Sequence, residues 1–175
     1  PPGRVGGAIR SGASSPADRP RVPAGGDPGG DGAGGGARGD REGLKRITRL
    51  TDLDVCADES ARSLADVVAI IKERAADVIN IKLMKFGIVH ALEVVRLVRS
   101  CDVKLMIGGM LESSLAMTAS THLAAGLGCF SFIDLDTPFF IKGDSETNPY
   151  LSGSGWYDLR KVKSGIGVIP RNQKL

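Results

Sequence analysis

The chain has 175 residues, 42% of them apolar, and a net charge of +3. That charge is too small to imply nucleic acid or an anionic membrane as partner, and no apolar run approaches the roughly 20 residues that span a bilayer. Cys56, Cys101 and Cys129 are odd in number and far apart in apolar contexts, so they read as reduced core residues of an intracellular protein.

Residues 1–40 hold 13 Gly, 6 Pro, 5 Arg and 4 Asp, with Val5, Ile9 and Val22 almost alone as larger apolar residues. Such a stretch buries too little surface to offset its ordering entropy and is expected to be disordered. It lacks the apolar core of a secretory signal, and Asp18, Asp27, Asp31 and Asp40 do not suit an organellar transit peptide. With Pro1 in first place, it is expected to be a tail or a sequence foreign to the domain that occupies residues 41–175.

From residue 43 the chain alternates between short apolar strands and amphipathic helices. Strands are expected at 53–57, 77–82, 103–108 and 130–136, and helices at 63–74, 89–99 and 113–125. Leu64, Val67, Val68 and Ile71 form one helical stripe, and Ala91, Val94, Val95 and Val98 form another. The strands are nearly all apolar, as in a parallel sheet covered on both faces. About four βα units therefore predict an α/β fold, either an open wound sheet or a barrel.

Each unit places polar residues at the C-terminal tip of its strand, the side on which α/β folds build their sites. Asp58 at the first tip is either a helix cap, shared with Ser60, or a ligand for a hard cation. Lys82, at the second tip, either snorkels to solvent or serves as a general base, whose pKa desolvation and a nearby metal would lower. The pleat of the strand fixes its direction; Lys85, read as a loop residue, fits the solvent role better. Gly108 and Gly109 at the third tip either permit a tight turn or open a helix that binds an anion. Asp134 and Asp136 at the fourth are two apart, so on a strand they share a face and call for a cation between them. The alternative is a solvated strand end before the Thr137-Pro138 turn. His90 and His122 lie in helical patterns without a second ligand at metal spacing.

Taken together, "ADES" (57–60), "DVINIKLMKFG" (77–87), "MIGGMLESSLAMTASTHLAAG" (106–126) and "FIDLDTP" (132–138) resemble the C-terminal half of the barrel in dipeptide epimerases. These enzymes belong to the muconate-lactonizing and mandelate-racemase group of the enolase superfamily. The resemblance runs over residues 40–145 and more loosely to "GIGVI" (165–169), and "GDREGLKRIT" (39–48) resembles the fourth barrel helix. It implies strands five to eight of a Mg²⁺-dependent (β/α)8 barrel that epimerises dipeptides such as L-Ala-D/L-Glu through an enolate. It further implies Asp58 as a metal ligand, Lys82 as one of two acid/base lysines, and Gly109, Met110 and Leu111 as a substrate-contacting loop. Asp134 and Asp136 would receive the dipeptide's α-ammonium.

The same resemblance implies a Lys-x-Lys on the second barrel strand and an Asp and a Glu ending the third and fourth, for which residues 1–40 offer no counterpart. Four strands cannot close a barrel. Two further expectations follow: a catalytically inactive half-barrel that binds a partner, or a different racemase or lactonizing enzyme of the superfamily. The partners expected are a small dipeptide and either a second copy of the chain or the rest of the barrel.

Overall fold

The computed structural model describes Arg4–Val5, residues 41–144 and residues 148–169. The disorder expected over residues 1–40 thus lies outside the described residues, except that Arg4–Val5 form a short strand, β1. It pairs antiparallel with β6 (Tyr157–Asp158).

The main sheet has four parallel strands in the order β2 (Cys56–Ala57), β3 (Val78–Lys82), β4 (Lys104–Gly108) and β5 (Phe132–Asp134). Helices α2 (Leu64–Glu73), α3 (Leu83–Val98) and α4 (Ser114–Leu127) follow the first three strands, and α1 (Arg41–Leu50) precedes them. Every strand is thus parallel to its neighbour and joined to it through a helix, the arrangement that the alternating pattern predicts.

The pleat divides the sheet into two faces. Ala57, Ile79, Ile81, Leu105 and Ile107 lie on one face and are fully or almost fully buried. They pack against Val67 and Ile70 of α2, Ala91, Val94, Val95 and Val98 of α3, and Met117 and Ala124 of α4. Burial of these side chains, each worth roughly 1.5–3 kcal/mol for a Val, Leu or Ile, is what holds the helices to the sheet. The opposite face departs from the expected two-sided apolar cover. Register aligns Asn80 with Met106 and Phe132, and Lys82 with Gly108 and Asp134. Met106 and Phe132 are only half-buried.

Local chemistry explains the element ends. Ser63 caps α2 by accepting a hydrogen bond from Asp66 N, and Arg74 ends it in the left-handed region at φ 51°. That cap removes the reading of Asp58 or Ser60 as the helix start. Helix α3 begins directly at Leu83, earlier than the expected residue 89, and is kinked at Gly87. With φ 65° and ψ 174°, Gly87 occupies a region open essentially to glycine alone. Outside the sheet, Thr48 Oγ1 of α1 donates to Ala75 O at 2.7 Å, fastening α1 to the approach of β3. Among the described residues no helix is long and apolar enough to cross a membrane.

Candidate active site

The tips of the parallel strands bring charged side chains into a single row. Lys82, the last residue of β3, is 8% exposed, and its Nζ lies 2.7 Å from Asp58 Oδ2 and 3.9 Å from Glu59 Oε1. The snorkelling alternative for Lys82 is therefore set aside: its ammonium ends on a carboxylate, not in bulk water. Burial opposes the ionisation of Asp58, but hydrogen bonds from Lys82 and Lys85 outweigh it and hold the carboxyl below its usual range.

Lys85 corrects the sequence reading. It belongs to the first turn of α3 rather than to a loop, and its side chain is almost fully buried. Nζ donates to Asp58 O at 2.7 Å, to Asp58 Oδ1 at 3.0 Å and to Asn80 O at 3.0 Å. Burial lowers the pKa of this ammonium, with Asp58 pulling in the other direction.

Asp134 ends β5 beside Gly108. Asp136 lies beyond the strand with αR backbone, at the start of a 3₁₀ turn over Thr137–Phe140. The shared strand face expected for the two carboxylates therefore does not exist, yet they still meet. Burial raises the Asp134 carboxyl, and Asp136 raises it further through its charge and a hydrogen bond, while the Lys82 charge lowers it. Between them Leu135 turns into the core, where its carbonyl accepts a 2.9 Å hydrogen bond from Tyr157 Oη.

The third tip is a fitted loop. A Cβ on Gly109 would sit 2.7 Å from Met117 Sδ and 3.1 Å from Thr137 Cγ2, so only glycine fits. Glu112 is buried; its Oε1 accepts from Met110 N at 3.0 Å, and its carbonyl accepts from Thr137 Oγ1 at 2.9 Å. Met110 and Leu111 remain exposed at the rim. Beneath Lys82 on the same face, Asn80 is buried with its Oδ1 unpartnered among the described residues. Sequence reasoning turned Lys85 to solvent and gave Glu112 no role, because both act through contacts between strand tips that no periodicity encodes.

The donor type at this site suits Mg²⁺ but the number does not. Mg²⁺ takes near-octahedral oxygen coordination, both oxygens of Asp58 are engaged by ammonium groups, and among the described residues no three His, Cys, Asp or Glu side chains gather. The other ionisable side chains are unremarkable as catalysts. Burial, then Asp58, push the Cys56 thiol up to about 11, and all three cysteines are free and half-buried. The imidazoles of His90 and His122 face the carbonyl oxygens of Phe86 and Ile166.

Residues 37–174 match the enolase C-terminal domain-like family. The chain belongs to that family. As an enolase C-terminal domain-like protein it is 50% identical over 135 residues to the hydrophobic dipeptide epimerase of Citrifermentans bemidjiense, covering 75% of this chain and 37% of that protein. The structure of a mandelate racemase/muconate lactonizing enzyme from Sorangium cellulosum superposes with a TM-score of 0.70 at 48% identity, over 77% of this chain and 37% of the other. A dipeptide epimerase from Enterococcus faecalis, solved with Mg and the dipeptide L-Leu-L-Tyr, gives a TM-score of 0.61 at 35% identity, over 69% of this chain and 35% of the other. This enolase C-terminal domain-like chain thus spans little more than a third of the length of the relatives it matches. Its four parallel strands, the first three each followed by a helix, correspond to the C-terminal part of their (β/α)8 barrel.

Proposed function

We propose that residues 41–175 supply strands five to eight of a dipeptide epimerase barrel, carrying one of its two acid/base lysines and its receptor for the substrate ammonium. The observation that supports this most directly is the single row at the strand tips, in which Lys82, Gly108 and Asp134 are register neighbours and Asp58 holds Lys82 at 2.7 Å.

The charges favour a substrate with a free amino group. Burial and the Asp136 charge raise the cost of ionising Asp134, and an ammonium beside Asp134 relieves it. A dipeptide anchored there extends its α-carbon toward Lys82. As a neutral amine, Lys82 takes the α-proton and the electron pair stays on the substrate as an enolate. As an ammonium held by Asp58, it returns a proton to the same face. Inversion requires a second acid/base group on the opposite face, which the remaining barrel strands would provide. Asp58 would offer Mg²⁺ a carboxylate only by sharing an oxygen that already accepts an ammonium, and the further ligands would have to come from those strands; when bound, the ion would supply positive charge to the substrate carboxylate. Met110 and Leu111, exposed at the rim beside Gly109, would line the substrate side chain.

The test is proton exchange in the full-length protein. Dipeptides such as L-Ala-L-Glu and L-Leu-L-Tyr, incubated in D₂O with Mg²⁺, should lose their α-proton NMR signal. Lys82→Ala should abolish epimerisation, and unchanged turnover in that variant would refute the assignment. A second reading has its own support, since β2 and β5 each pair with one strand only among the described residues. Unpaired edges invite another chain. If residues 41–175 form a defined complex at micromolar concentration and exchange no α-proton, the domain acts as an assembly module instead.

A further inference from the structure

The proposed reaction leaves one buried charge at the site unexplained. Lys85 is 7% exposed at its side chain and touches neither the row of Lys82, Gly108 and Asp134 nor the Asp136 turn in any hydrogen bond. An ammonium has three N–H donors. Lys85 places all three on two adjacent strand tips, two on Asp58 and one on Asn80.

The ladder itself cannot do this. β2 pairs with β3 only through Cys56↔Val78 and Ala57↔Ile79, so Asp58 lies past the last paired residue. A carboxylate at the end of a free strand rotates about its side-chain bonds unless both oxygens are held. Here Oδ1 is bound by Lys85 at 3.0 Å and Oδ2 by Lys82 at 2.7 Å. The kink at Gly87 separates the turn that carries Lys85 from the rest of α3, so that this turn reaches the β2 tip while Ala91, Val94 and Val95 continue on the core face.

We propose that Lys85 is a positioning residue: by clamping Asp58 O and Oδ1 against Asn80 O, it fixes the Asp58 carboxylate so that Oδ2 holds the Lys82 ammonium at the substrate end of β3. Burial of a cation is costly without full pairing, and this one is fully paired. It acts through Asp58 and reaches no substrate atom. Its effect on chemistry falls on the one face of the substrate that Lys82 serves, a consequence that rests on the proposed reaction.

Two measurements on the full-length protein test it, with Lys85→Met beside the wild type. The first needs no activity. In a crystal structure of the variant, the Lys82 Nζ to Asp58 Oδ2 contact should open beyond ion-pair distance or split into several conformers. Retention of a single short contact overturns the proposal. The second is α-proton exchange with each epimer of one dipeptide. Exchange of the epimer that Lys82 deprotonates should fall roughly 10- to 100-fold, the usual cost of losing a group that orients a site residue, and exchange of the other epimer should fall far less. Equal losses for both epimers indicate a merely structural tie and overturn the proposal. If the wild type exchanges neither epimer, the epimerase reading fails while the crystallographic comparison still decides the clamp. Should Lys85→Met fail to fold, Lys85→Gln, which keeps donors for the two carbonyl oxygens and drops the charged bond to Oδ1, is judged by the same criteria.

Discussion

Lys82 and Asp58 stand 2.7 Å apart across the tips of adjacent strands, and the same carboxylate takes a second ammonium from Lys85 on its other oxygen. One negative charge thus anchors two positive ones. That arrangement makes Asp58 the electrostatic hinge of the site, since Lys82 and Lys85 repel each other when it is neutral.

Neutralising Asp58 should therefore cost stability in a pH-dependent way. Its folded-state pKa lies below the ordinary value of about 3.9, so its contribution is present above that value and disappears as pH falls through the lowered one. Asp58→Asn should destabilise the fold by about 2 kcal/mol at pH 7, less than a fully buried pair because the Asp58 side chain keeps contact with water. Urea unfolding of wild type and variant from pH 7 downward checks this. The gap between them should shrink toward zero in acid, and a gap that stays constant would show that the ion pairs contribute nothing.

Asp134 should behave in the opposite sense. Burial and Asp136 raise its folded-state pKa, so its ionised form is a stability cost that appears as pH rises through that value. Asp134→Asn should stabilise the protein at pH 7, by about 0.5 kcal/mol given its exposure to solvent. The gain should vanish below pH 3, where the wild-type carboxyl is protonated in both states. The same variant should lose affinity for dipeptides with a free amino group. Thermal melts at the two pH values, with dipeptide titration, decide it: a variant less stable than wild type at pH 7 would mean that no repulsion exists.

How much of this could be read beforehand depends on whether the cause was local. Strands β3 and β4 appear within one residue of their apolar runs, because the ladder between them runs unbroken from Val78↔Lys104 to Lys82↔Gly108. The edge strands β2 and β5 are shorter than their apolar runs, each having only one neighbour among the described residues. Asp136 was misplaced for a local reason that the sequence did contain: Pro138 cannot donate to a ladder, and it opens the 3₁₀ turn just after Asp136. Lys82 and Asp58 were legible as tip residues. Lys85 was not, because its partner lies 27 residues away on another strand tip and the turn carrying it is broken from the helix at Gly87.

The close fit at the third tip yields a packing prediction. Gly109 carries no left-handed backbone, so its requirement is space alone: an added Cβ meets Met117 Sδ at 2.7 Å, Met117 Cε at 3.0 Å and Thr137 Cγ2 at 3.1 Å. Methionine yields easily in loose surroundings, but Met117 is fully buried in the second core cluster and has nowhere to go. Gly109→Ala should cost about 1–3 kcal/mol, the range for an overfilled core. Differential scanning calorimetry measures it directly. A melting temperature within 1 °C of wild type, roughly the shift of an inconsequential surface change, would show that the loop gives way without strain.

Tyr157 links the C-terminal segment to the carboxylate turn. It is 3% exposed, and its hydroxyl donates to Leu135 O, the residue between Asp134 and Asp136. Burial, then Asp144 and Asp136, push the phenol well above its ordinary range, so it remains a donor at every working pH. Tyr157→Phe keeps the ring in the core and removes one hydrogen bond, leaving the Leu135 carbonyl buried without that donor; the expected cost is about 1–2 kcal/mol. The functional consequence follows from position. Leu135 anchors the backbone that presents both carboxylates, whereas Lys82 is held independently by Asp58. The variant should therefore raise KM for a dipeptide by roughly threefold with kcat within twofold, the pattern of lost uniform binding. A fall in kcat at unchanged KM would place the effect of Tyr157 on Lys82 instead and break the link between the C-terminal segment and the proposed ammonium binding.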